Sequence, residues 1–523
     1  MEREYYSRGE LRTVDVLEDV VAVRVAAGVR GVTPDAFGTP SATAERTIDD
    51  PTLAAFRDAN WLFVTPSPDV SRSVEEGAAV HDTDQVGRVV RQPDGTVAVA
   101  TQRLNVQLSE DLSAAEAQRA LADAGLTVRN ELRFAPNLFE VDAQAGEDSL
   151  AASVRLHDDP RFVFAEPAFI EHIPARFTPT DPRFGEQWQW ANTGQGGGVA
   201  GADVRAEEAW ELSRGAGVRV AVIDNGFNPS HEDLAAAIVT DSGFFEDAGA
   251  DPPVFVQGTA GMPNSDHGTF CAGMVGARHD NGVGGCGAAP ECVLLLIACL
   301  GDQVGTQTTL ARAVAYAADP STEVAGASAT SGADILVSSL GPNGAVWQLT
   351  QTLELALEFA AVNGRGGRGL AIFWAASNGR NVDVLKDQVV SHRDVIAVVR
   401  SDRNDREDNA ARGPEVELIA PGVDVFSTKG DGGYGTSTGT SFAAPCAAGC
   451  AALALSVDTA LTRDELRRIM RESADKIGGV GYDADGHNDD YGFGRVNAHE
   501  AVLQAKRARD NRFEPVGTSV LSD

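Results

Sequence analysis

Val220-Ala221-Val222-Ile223-Asp224-Asn225-Gly226 is the stretch that decides the fold. Its first four residues are apolar without a break, as in a strand buried on both faces. The run stops on a carboxylate. Similar runs recur at Val293 to Leu300, Ile335 to Val337, Leu370 to Ala376 and Val395 to Val399. Helical stretches lie between and after them: Thr308 to Ala318, Gln348 to Ala361, Ser441 to Leu455 and Thr462 to Glu472. Alternating strands and helices predict an α/β fold, a parallel sheet flanked by helices. In such sheets the site lies at the carboxyl ends of the strands.

Two further segments share that setting. His267-Gly268-Thr269-Phe270-Cys271-Ala272-Gly273 opens a helical stretch. Gly439-Thr440-Ser441-Phe442-Ala443-Ala444-Pro445 runs from a Gly-rich loop into an apolar helix. Singly, the three segments also fit a turn aspartate, a capping histidine and a loop serine. Together they supply the parts of one reaction. A serine hydroxyl is a poor nucleophile until a base takes its proton. Imidazole can do so near neutral pH, and a helix N-terminus disfavours its early protonation. A buried carboxylate orients the ring and stabilises the imidazolium. Donors for a developing oxyanion are the Ser441 N–H and the Asn378 side chain in Ala375-Ala376-Ser377-Asn378-Gly379.

The three segments, in this order, resemble the signatures of the subtilase family of serine peptidases, over roughly residues 180 to 508. The resemblance implies a subtilisin-like α/β domain that hydrolyses peptide bonds through an acyl-enzyme. It implies Asp224, His267 and Ser441 as the catalytic residues, and Asn378 with Ser441 as the oxyanion hole. Ser338-Ser339-Leu340-Gly341-Pro342 resembles the family's substrate-binding strand, where an extended peptide pairs through its main chain and Gly341 leaves room for the P1 side chain. Cys271 and Asn281-Gly282-Val283-Gly284-Gly285-Cys286-Gly287 resemble the kexin and proteinase K branches. The tail from Asp485-Gly486-His487 to Gly492-Phe493-Gly494-Arg495-Val496-Asn497-Ala498 resembles kexin-like bacterial subtilases. Four positions depart from the family pattern: Asn225, Phe270, Ser377 and Cys446. None removes a catalytic group. The resemblance implies no cofactor for the chemistry and allows structural calcium. Asp383, Asp402, Asp405, Asp483 and Asp485 are candidate ligands, with no site assigned. Kexins line the S1 pocket with acids. Near the substrate strand this chain has Asn343 and Gly344, and no Asp cluster, so no P1 preference follows.

Ahead of this domain, residues 96–176 read as β-α-β-β-α-β: a strand at Val97 to Leu108, a helix at Ser113 to Ala124, strands within Thr127 to Asp142, a helix at Asp148 to Leu156 and a strand at Arg161 to Glu171. That is the ferredoxin-like plan. With the resemblance, it implies an α+β propeptide that inhibits its own peptidase domain and is removed by autocleavage near residues 172–183. The linker there carries Pro174, Pro179 and Pro182. The expected domains are an extension of unassigned role (1–95), the propeptide (96–176), the peptidase domain (177–508) and a disordered tail (509–523).

Composition bounds the partners. Forty-three basic against 76 acidic residues give a net charge of −33. Such a surface repels nucleic acid and anionic membranes and draws cationic substrates. The expected partners are a protein or peptide substrate and the chain's own propeptide. The first thirty residues show no basic stretch followed by an apolar core, so no Sec signal is read. No apolar run of about eighteen residues is read as a membrane span. The expectation is a cytoplasmic or non-classically secreted protein. The six Cys show no metal-binding CxxC spacing. Cys446 and Cys450, four apart, share one helix face.

Overall fold

The computed structural model describes residues 2–25, 38–48, 50–67, 83–92, 95–144, 146–173, 177–246, 253–301, 303–342, 346–379 and 382–513. Asn343, Gly344, Pro174 and the last ten residues of the expected tail lie outside them. The chain forms two compact units, Met1–Ala175 and Arg176–Asp523.

The second unit is built on an eight-stranded sheet. Its order is Val254–Gln257, Gly243–Glu246, Val293–Ala298, Arg219–Asp224, Ile335–Ser338, Ala371–Ala375, Val395–Ser401 and Val416–Pro421. All pairings are parallel except the first, which is antiparallel, so the sheet is mixed where a parallel one was expected. The edge pair escapes a sequence reading because each strand has four residues and one buries little. Phe245 and Phe255 face each other across it with ring centroids 5.1 Å apart.

The continuous apolar runs are explained by two cores. Val220, Val222, Leu294, Leu296, Ile335 and Val337 point into one. Ala221, Ile223, Leu295, Ile297 and Leu336 point into the other. Successive side chains alternate faces, so both faces need apolar residues. Helices Asp266–Gly276, Thr440–Val457 and Ala498–Phe513 cover the first face. Helices Gln307–Ala318 and Gln351–Gly367 cover the second. Thr440–Val457 is long and apolar enough to cross a membrane, contrary to the sequence reading, but 83% of it is buried in the core. Ala498–Phe513 carries residues 509–513, expected as tail, into regular helix.

The first unit holds two sheets. The four-stranded one runs Phe162–Pro167, Arg103–Leu108, Leu138–Asp142, Thr127–Glu131, antiparallel throughout. With helices Ala114–Asp123 and Ser149–His157, that is the strand order of the split βαβ plan. The stretch Val97 to Leu108, read as one strand, is two. Val97–Ala100 leaves the four-stranded sheet and pairs with Thr83–Arg91 in a seven-stranded one, where Ile170–Glu171 joins it. Both pieces are apolar, and only pairing partners tell them apart.

Candidate functional site

The Arg219–Asp224 strand ends on Asp224, which has no exposed surface. Its Oδ1 accepts the Asn225 N–H at 2.8 Å. Both its oxygens lie on Nδ1 of His267, at 2.9 and 3.0 Å. A carboxylate there requires the proton on Nδ1, which leaves Nε2 as acceptor. His267 stands in the first turn of Asp266–Gly276, whose N-cap Ser265 accepts the His267 N–H at 3.1 Å. Gly268 permits the approach, because a Cβ there would collide with the Gly226 carbonyl. The ring is partly exposed and packs 5.8 Å from Phe442. Burial pulls its pKa down, while the charge and hydrogen bond of Asp224 pull it up and prevail.

Ser441, half-buried, stands in the first turn of Thr440–Val457. Pro445, four residues on, has no N–H to give the Ser441 carbonyl. Two side chains take that place: Ser339 Oγ donates at 2.8 Å and Cys271 Sγ at 3.2 Å. The proline thus frees a carbonyl that ties Ser441 to the histidine helix and to the Ser338–Gly341 segment. Burial and the Asp224 charge push the Cys271 thiol well up, so it stays a protonated donor. Ser441 Oγ and His267 Nε2 make no hydrogen bond to each other in this state.

Asn378 follows the Ala371–Ala375 strand. Its Oδ1 accepts from Arg400 Nη1 at 2.5 Å and from the Thr440 N–H at 3.0 Å. The amide is thereby oriented, and its NH₂ remains the donor end. Ser338 is fully buried at its strand end. The Trp374 indole N–H donates to the Leu340 carbonyl at 2.7 Å, and Gly341 is exposed. The predicted residues therefore come from three strand ends and two helix starts at the carboxyl end of the sheet. Of the departures, Phe270 packs on Phe442 at 4.4 Å. Asn225 leaves its Oδ1 buried without a partner. Cys446 and Cys450, like the other four cysteines, are buried free thiols.

The five acids named as calcium candidates do not gather. Asp383, Asp402 and Asp483 accept backbone N–H groups in their own turns. Asp405 pairs with Arg495, and Asp485 is exposed. A better donor set lies elsewhere. Asp233 has no exposed surface, and its Oδ2 has no hydrogen-bond partner. Its Oδ1 accepts from Asn281 Nδ2 at 2.7 Å. Burial, with help from the Asp181 charge, pushes its carboxyl up to about 7. Asp181 itself receives the Asp280 and Asn281 N–H groups at 2.8 and 3.1 Å. An orphaned buried carboxylate beside a second carboxylate and an amide suits a hard cation such as calcium. All three stretches are in plain view in the sequence, but nothing local shows that they meet.

A family model described as "Subtilase family" matches residues 215–494. The chain is 29% identical over 479 residues to a "Calcium-dependent protease" of Nostoc sp., covering 82% of this chain and 67% of that protein. It is 30% identical over 402 residues to a "Thermophilic serine proteinase" of Bacillus sp., covering 76% and 86%. A solved protease structure from Pseudoalteromonas arctica superposes with a TM-score of 0.53 at 28% identity, over 63% of this chain and all of that one. This chain belongs to the subtilase family and is a subtilisin-like serine protease.

Proposed function

We propose that Asp224, His267 and Ser441 act as one catalytic triad in an endopeptidase. The observation that carries this is the buried Asp224 carboxylate held by both oxygens on His267 Nδ1. His267 Nε2 takes the Ser441 proton as Oγ attacks the scissile carbonyl, then delivers it to the leaving amine. Asp224 holds the tautomer and offsets the imidazolium charge. The Ser441 N–H and the Asn378 NH₂ meet the developing oxyanion. Ser338, Ser339, Leu340 and Gly341 offer main chain to an extended substrate.

The chemistry needs no cofactor. Asp233, Asp181 and Asn281 would hold a structural calcium, whose charge removes the cost of the buried Asp233 carboxylate. Residues 96–176 form a propeptide that keeps the enzyme a zymogen. Its four-stranded ferredoxin-like order supports this, and so does the Nostoc alignment, which covers more of this chain than the second unit alone.

Intact mass against time for wild type and Ser441→Ala tests the reading. Shortening of the wild type to a piece starting near residues 172–183, with the variant whole, is expected. If both stay whole and a phosphonate fails to label Ser441, the triad reading fails.

A further inference from the structure

A third buried carboxylate, outside the triad and the Asp233 cluster, faces the substrate segment. A Cβ added at exposed Gly341 would stand 3.4 Å from Trp347 Cζ3 and 3.9 Å from Oδ2 of Asp387. Trp347 is held there by its neighbours: its N–H donates to the Lys386 carbonyl at 3.0 Å and its carbonyl accepts from Gln388 at 2.9 Å. Asp387 is only 3% exposed. Its Oδ1 accepts the N–H groups of Val389 and Val390, both at 3.1 Å. Among the described residues, its Oδ2 has no hydrogen-bond partner, and no Lys, Arg or His pairs with the carboxylate. Burial pushes the carboxyl up, as an unpaired charge requires.

We propose that Asp387 receives the substrate's P1 side chain beyond Gly341 and selects a basic residue there, arginine before lysine. This rests on the reading of Ser338–Gly341 as the substrate strand. A peptide extended along that segment sends its P1 side chain past Gly341, the one residue without a side chain to block it. The first groups it meets are the Trp347 ring and the Asp387 oxygen. A guanidinium supplies the partner that Oδ2 lacks, and a planar guanidinium also stacks on an indole, which an ammonium does less well. The chain's net charge of −33 steers the same substrates inward.

The test is kcat/KM for peptides identical except for Arg, Lys, Phe or Leu at P1, with the full chain and Asp387→Asn. Asparagine keeps an oxygen for the Val389 and Val390 N–H groups and removes the charge. The wild type is expected to favour Arg over Phe by roughly a hundredfold, the size of a charge-assisted bond. Asp387→Asn should lose most of that ratio. A wild type that favours Phe or Leu, or a variant that keeps the Arg preference, overturns the proposal. A wild-type measurement guards against a variant that misfolds: Ser441 should react faster with an arginyl than with a phenylalanyl phosphonate, and equal rates overturn the proposal. Labelled Ser441 without basic preference sinks this inference alone. No cleavage and no labelling sinks the triad reading with it.

Discussion

Asp224 and Asp233 stand nine residues apart and are both wholly buried, yet their surroundings are opposite. Asp224 has the His267 ring on both oxygens and a backbone N–H on one. Asp233 has one side-chain donor and an orphaned oxygen. A buried charge needs a partner. At Asp224 the chain supplies it, and the charge is fixed in place to act on a ring. At Asp233 the chain leaves one oxygen without a partner, and that is where we propose that a calcium ion binds, beside Asp181 and Asn281.

The largest expected effect breaks the first half of this contrast. Asp224→Asn keeps the shape but offers the wrong tautomer, and kcat should fall by about 10⁴-fold. A fall under tenfold, with matched melting curves, would show that Asp224 is only structural. Next, Asn378→Ala should lower kcat by about 10²–10³-fold with KM little changed. A change confined to KM would assign Asn378 to substrate binding instead.

The second half is tested by chelation. With calcium in hundredfold excess over its Kd, binding to the folded state stabilises by about 2.7 kcal/mol. Removing it should lower the melting temperature of the wild type and leave Asp233→Asn unmoved. Equal shifts in both would place the ion elsewhere.

The smallest effect concerns pH. In the proposed triad His267 must be neutral to accept the Ser441 proton, so kcat/KM should fall as pH drops through its pKa. Asp224 holds that pKa above the usual 6.5, so the acid limb should lie above 6.5. Asp224→Asn leaves only the downward pull of burial, and its residual activity should show the limb at lower pH. An unmoved limb would mean another group controls it.

Much of this was legible in the chain itself. The run ending at Asp224, the helix opening at His267 and the loop into Ser441 each carry local signals strong enough to name. The edge pair Gly243–Glu246 and Val254–Gln257 was not legible, because four-residue strands give too short a pattern. The split of Val97–Leu108 between two sheets was not legible either, since pairing partners are not local. Asp387 lies 46 positions beyond Gly341, too far along the chain for a local pattern to link the two.

By itself the sequence determined the double-faced sheet and the family, and it named the residues proposed for the reaction, because apolar periodicity and short motifs are local properties. Only the tertiary structure decided which acids keep an unpaired oxygen. It also showed why Pro445 matters, through the carbonyl it releases to Ser339 and Cys271. Whether a buried polar atom is satisfied depends on groups brought together from far along the chain, and no local pattern records that.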